Sequence, residues 1–224
     1  MDTWYNITKG IVRGYIALFI DSIQVEGQRF LPPGPKIIVA NHANVTDGFM
    51  LPFIIREKIH FLIQEETFEL PLLGRLLIWA DQIPVVIGQG REALDKAIDK
   101  LSQGHAVAIF PEGRLNHGKE MRRAGTGAAI LAVQSGAPLI PVGFYVPPKF
   151  IRLFKMSSLH NRESTGGWQF GGKCFINIGE PWYPTLFQEN FNYRKLRSLT
   201  NSLMTSIGNL VHQAKEAAQS YYLE

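Results

Sequence analysis

Apolar residues recur at spacings of three and four across residues 3–20. Trp4, Ile7, Ile11, Tyr15 and Leu18 form one stripe, with Val12 and Phe19 beside it and Lys9 and Arg13 on the other side. That pattern predicts an amphipathic helix. Trp and Tyr next to basic residues suit the boundary between water and lipid, and the same stripe can pack on a protein core, so both roles are open to it. Ser22–Glu26 alternates like a strand, and Pro32–Pro35 makes a stiff turn. Lys36–Ala40 is a β-branched apolar run of the kind a strand buried on both faces requires.

From there strands and helices alternate. Helices are predicted over Asp47–Arg56, Pro71–Ala80, Arg91–Leu101 and Gly125–Gln134. Strands are predicted over His60–Ile63, Ile83–Ile87, His105–Phe110 and Leu139–Phe144. Residues 146–172 break the rhythm with Pro147-Pro148, Gly166-Gly167 and Gly171-Gly172, and read as a long excursion. Lys173–Ile178 returns as a strand, and Phe191–Gln219 as a long helix. The alternation defines a single-domain α/β fold with a largely parallel central sheet flanked by helices. Residues 1–20 stand apart as an interfacial helix, and 21–224 form the domain proper.

Composition narrows the chemistry. The chain of 224 residues holds one cysteine, Cys174, so an internal disulfide and a cysteine zinc cage are both excluded. Lys and Arg number 23 against 19 Asp and Glu, a net charge of +4. That surplus is too small to argue for nucleic acid, but it fits anionic ligands or an anionic membrane surface. No run reaches the roughly 20 apolar residues of a spanning helix, and the first segment lacks a signal-peptide pattern.

Two loops carry candidate chemistry. Asn41-His42-Ala43-Asn44-Val45-Thr46-Asp47 begins where a buried strand ends and finishes where a helix begins. In open α/β sheets ligands collect at that edge. Asp47 there can pair with one ring nitrogen of His42 and leave the other as a base. Equally, Asp47 can simply cap the helix. Phe110-Pro111-Glu112-Gly113-Arg114 follows the strand predicted over His105–Phe110 and places a carboxylate beside a guanidinium. No Gly-x-Ser-x-Gly elbow, Walker lysine, dinucleotide fingerprint or His-Glu-x-x-His pair occurs, and no metal site is expected. Residues 149–155 alternate Lys149, Arg152 and Lys155 with Phe150, Ile151, Leu153 and Phe154, a second candidate interfacial patch.

The Asn-His-x4-Asp block, the Phe-Pro-Glu-Gly block about 70 residues later, and Pro138-Leu139-Ile140-Pro141-Val142 together resemble the glycerolipid acyltransferases. The likeness runs from about Val25 to Gly143 and includes Glu66–Gly74 and Ile83-Pro84-Val85. The resemblance implies a glycerol-3-phosphate acyltransferase-like fold. It also implies transfer of a fatty acyl group from acyl-CoA or an acyl carrier protein to a lipid hydroxyl, with no cofactor beyond that co-substrate. His42 would be the general base and Asp47 its orienting partner. Asn41, Glu112, Gly113 and Arg114 would serve acceptor binding, and Pro141 would shape a pocket wall. The expected partners are the acyl thioester, a lysophospholipid and a membrane surface, at the cytoplasmic face. The sequence departs from the family where Arg114 stands one position early and where Gln64 and Ile87 replace expected basic residues. Arg75, Arg91, Lys119, Arg122 and Arg123 could supply the missing charge. A different lipid or glycolipid hydroxyl is therefore a competing acceptor. A lipid-binding module without turnover is a competing class.

Overall fold

In a computed structural model, residues 3–156, 164–184 and 192–223 are described. Met1, Asp2, Phe191, Glu224 and the middle of the 146–172 excursion lie outside them. The five residues of β2 (Lys36–Ala40) are all buried, as the apolar run predicted. β2 pairs in parallel with β5 (Ala106–Ile109) on one side and β6 (Leu139–Tyr145) on the other. β3 (Ile59–Gln64) and β4 (Ile83–Val85) extend the sheet in parallel beyond β5. β9 (Lys173–Ile178) runs antiparallel to β6, and β1 (Ser22–Glu26) joins β9 in parallel. The order is β1-β9-β6-β2-β5-β3-β4. Helices cover both faces, so the sheet matches the expected largely parallel α/β architecture.

One face carries α4 (Gly90–Ser102), α5 (Gly127–Ser135) and α6 (Tyr193–Leu223), with Ile37, Val39, Val107, Leu131, Leu203 and Ile207 among its core residues. α6 lies very close to the sheet at Gly143, where a Cβ would stand 2.5 Å from the Val211 backbone nitrogen. The other face carries α1 (Thr3–Phe19) and α2 (Asp47–Ile54), with Ile38, Ala40, Met50, Leu51, Ile140 and Phe144 in its core. Lys36 is buried at the start of β2 and offsets its desolvation by pairing with Glu57 and the Gly34 carbonyl.

α1 buries none of its residues fully. Its inner side turns Tyr5, Tyr15 and Ile16 to the core, and the Tyr15 hydroxyl donates to the Gln169 carbonyl at 2.5 Å. Trp4, Ile7, Ile11 and Leu18 face outward and are exposed. The predicted stripe thus divides between core and surface. α3 (Leu73–Trp79) lies beside α1, and Trp4 stacks on Trp79 with ring centroids 4.2 Å apart. Gly74 is required there, because a Cβ would fall 1.9 Å from the Phe68 carbonyl oxygen.

The predicted excursion is instead a β-hairpin. β7 (Ile151–Met156) and β8 (Ser164–Gln169) pair antiparallel in a separate two-stranded sheet. It returns over the end of β2, where the Val45 N–H donates to the Gly167 carbonyl at 2.9 Å.

Candidate active site

The strands β2, β5 and β3 end side by side, and both candidate loops leave from that edge. After β2 the chain turns tightly, and Asp47 makes the turn. Its Oδ2 accepts from the Ala43 N–H at 2.8 Å and the Asn44 N–H at 2.7 Å. The Asp47 side chain is 1% exposed. The same oxygen stands 3.9 Å from His42 Nδ1. The carboxylate thus fixes the turn before α2 and faces His42, while the helix N-cap, Thr46, makes no side-chain cap hydrogen bond. The separation is longer than a hydrogen bond, and Nδ1 is buried without a hydrogen-bond partner. The ring as a whole keeps 22% exposure. It stacks on Phe110, with centroids 4.0 Å apart and planes 14° from parallel. His42 thus has one buried nitrogen aimed at an anion and an accessible remainder.

Glu112 reaches back to hold this loop. Its buried carboxylate accepts from the His42 N–H at 2.9 Å, from Asn116 Nδ2 at 3.0 and 3.1 Å, and from the Arg122 N–H at 2.8 Å. The Asn116 N–H returns to the His42 carbonyl at 2.8 Å. Both backbone groups of His42 are therefore tied to the loop that follows β5. Asn41 is spent similarly: its side chain donates to the Phe144 carbonyl at 3.0 Å and accepts from the Phe144 N–H at 2.7 Å. Pro141 is buried in β6 opposite Val39, beside Gly179 and Leu210 on the α6 side of the sheet. The structure brings together Asn41, His42, Asp47 and Glu112, and leaves Pro141 on the other face.

Gly113 and Arg114 are exposed. The Gly113 carbonyl accepts from Gln64 Nε2 at 2.8 Å. So Gln64, where a basic residue was expected, tethers the tip of the loop. Lys119 and Arg122 are exposed on the same loop. With His42 they act on His117, whose pKa is lowered by burial first and then by these three charges. Sequence reading passed over His117, Asn116, Phe110 as a stacking partner, and the Gly167 contact. Asn116 sits four residues after Glu112, a spacing that could have drawn notice. The Gly167 contact has no local signal. Cys174 is buried in β9, where burial raises its thiol pKa well above the ordinary value. Among the described residues no group of three His, Cys, Asp or Glu is placed to hold a metal.

The sequence model of the acyltransferase family matches residues 22–145, more than half of the chain. The chain belongs to that family. The 1-acyl-sn-glycerol-3-phosphate acyltransferase of Haemophilus influenzae is 26% identical over 176 residues, covering 75% of this chain and 66% of that protein. The enzyme of that name from Borreliella burgdorferi is 27% identical over 139 residues, covering 58% of this chain and 54% of its own. This chain therefore spans between half and two thirds of these relatives' length. The crystal structure of the 1-acyl-sn-glycerophosphate (LPA) acyltransferase PlsC from Thermotoga maritima superposes with a TM-score of 0.68 at 23% identity, over 95% of this chain and 79% of that one. It shares the fold.

Proposed function

We propose that this protein transfers a fatty acyl group from a thioester, acyl-CoA or acyl carrier protein, to the hydroxyl of a lysophospholipid, with 1-acylglycerol-3-phosphate as the leading acceptor. The observation that carries the proposal is the buried Nδ1 of His42 aimed at the Asp47 carboxylate while the rest of the ring stays accessible. A proton on Nδ1 facing that anion leaves Nε2 as the basic nitrogen. Nε2 takes the acceptor's hydroxyl proton as its oxygen attacks the thioester carbonyl. The C–O bond forms, the tetrahedral intermediate collapses, and the C–S bond breaks. The proton on Nε2 then passes to the departing thiolate. Asp47 stabilises the imidazolium in between, and no acyl-enzyme is needed. Such a base contributes about 10²–10⁴-fold, and alignment of two bound substrates adds to it.

Asn41 and Glu112 are positioning residues in this reading, because their polar atoms are engaged within the protein. Arg114, Lys119 and Arg122 supply the charge for an acceptor phosphate, in place of bases absent at positions 64 and 87. Gly113 lets their loop turn at φ 66°. The lipid acceptor also calls for a membrane surface at the cytoplasmic face, met peripherally through the exposed side of α1. No helix among the described residues is long and apolar enough to cross a bilayer. The test is product analysis with one labelled acyl thioester and a panel of lysolipids. A diacylated phospholipid supports the reading. Acylation of a neutral lipid alone moves the acceptor, and free fatty acid alone makes the protein a hydrolase.

A further inference from the structure

Side chains alternate between the two faces of a strand, and three neighbouring strands use this to bring rings to the edge where His42 sits. Ile38 and Ala40 of β2, Ala108 of β5 and Ile59 of β3 share the core on the α2 side of the sheet. Phe61 and Phe110 pack against that core, two residues beyond Ile59 and Ala108. His42 comes two residues after Ala40. Ala108 pairs with Ile38 on one side and Phe61 on the other. Val39 pairs with Ile109, so Ala40 and Phe110 follow as neighbours. The small side chains of Ala40 and Ala108 leave room for the rings. His42 lies flat on Phe110, with centroids 4.0 Å apart and planes 14° from parallel. Phe110 in turn lies at 16° to Phe61, with centroids 6.4 Å apart.

Hydrogen bonding does not set the plane of this imidazole. Nδ1 has no hydrogen-bond partner, and Asp47 Oδ2 is 3.9 Å away, beyond hydrogen-bond reach. Glu112 and Asn116 pin the His42 backbone, but the side chain keeps its own torsions. The flat contact with Phe110 restrains them. The contact also bears on charge. The face of an aromatic ring is negative and attracts a cation lying over it. Once His42 takes a proton, the imidazolium meets the Asp47 carboxylate at its edge and the Phe110 ring on its flat side.

We propose that Phe110 is a positioning residue for acyl transfer. Its ring fixes the plane of His42, keeps Nδ1 toward Asp47 and Nε2 free for the acceptor, and steadies the imidazolium formed in the reaction. Resting on the general-base reading of His42, this role adds a residue that acts through the base rather than on substrate.

Phe110→Leu and Phe110→Tyr in the full chain are compared with the parent by steady-state kinetics and by NMR titration of the His42 imidazole, whose signals are assigned by their loss in His42→Gln. Among the described residues, Asp47 from α2 and Glu112 and His117 from the loop after β5 are the titratable groups facing His42, and all three are kept in these variants. Phe110→Leu is expected to lower kcat about tenfold or more, while KM for both substrates stays within about twofold. Its His42 titration midpoint should fall by about half a pH unit or more. Phe110→Tyr keeps the ring and should retain the parent's kcat and midpoint. A leucine variant with the parent's kcat and midpoint overturns the proposal. A kcat loss with an unmoved midpoint, or a loss that tyrosine does not restore, makes Phe110 a packing residue only and overturns it as well. A parent that transfers no acyl group refutes the enzyme reading, and the midpoint alone then decides whether the stack acts on His42.

Discussion

The Glu112 carboxylate accepts a hydrogen bond from the backbone N–H of His42 at 2.9 Å, across 70 residues of chain. The Phe-Pro-Glu-Gly block thereby holds the Asn-His-x4-Asp block. Of the carboxylate's other partners, Asn116 also binds the His42 carbonyl. An acid in this motif is easily taken for a substrate ligand. Here it accepts four hydrogen bonds from three donor groups inside the protein and acts through the loop it fixes.

Glu112→Gln should therefore lower turnover without removing the base. Glutamine keeps one acceptor but turns an N–H₂ toward donors, at a cost of about 1–3 kcal/mol. Turnover should fall about tenfold or more, and the pH of half-maximal rate should stay where the parent has it. A pH–rate profile separates this from loss of the base, which would abolish the limb.

Charge removal on the loop after β5 should read out in acceptor affinity. Lys119→Gln with Arg122→Gln is expected to raise KM for a phosphate-bearing acceptor about tenfold, as loss of a charge-assisted hydrogen bond implies. KM for the acyl thioester should change little. Steady-state kinetics with each substrate varied in turn checks this.

Gly167 is packed against the loop that carries His42 and Asp47, with only 2.6 Å between a built Cβ and Asn44 Oδ1. Asn44 is itself held by Asp47. Gly167→Ala must displace the hairpin or the loop, costing about 1–3 kcal/mol, and should lower turnover together with thermal stability. An alanine variant as stable and active as the parent would show that the hairpin is free of the site.

The order of strands and helices was legible because each buried strand is a short apolar run and the longer helices α1, α4 and α6 keep a 3.6-residue period. The hairpin was not. β8 is Ser-Thr-Gly-Gly-Trp-Gln, whose glycines read as loop, yet Gly167 is there because Asn44 leaves no room for a side chain. β7 carries exposed Leu153 and Phe154, so it lacks a strand's clean burial pattern. His42 and Asp47 were legible as a pair from spacing. The inward turn of Glu112 and Asn41 was not, because it depends on partners 70 and 103 residues away. The split of α1 into a core side and an outward apolar side likewise needed the packing of Tyr5 and Tyr15.

His60, remote from His42, should govern acid stability. It is buried between the Asp81 carbonyl, 2.6 Å from Nδ1, and His105, 2.9 Å from Nε2. Burial, opposed by the Asp81 carbonyl bond, brings its pKa to about 4 against an ordinary 6.5. Between those values the unfolded chain binds the extra proton, so stability is full above 6.5 and is lost as pH falls toward 4. The loss amounts to up to about 3 kcal/mol. Urea unfolding across this range should show the slope in the parent and a flatter one in His60→Leu.

In the proposed reaction His42, poised by Asp47, draws the proton from a lysophospholipid hydroxyl. The direct measurement is thiol release from an acyl thioester with lysophosphatidic acid present, matched against diacyl product, for the parent, His42→Ala and Asp47→Asn. Equal amounts of thiol and product are expected in the parent, and a fall of about 10² or more in both variants. Release by His42→Ala at the parent's rate would contradict this role of His42.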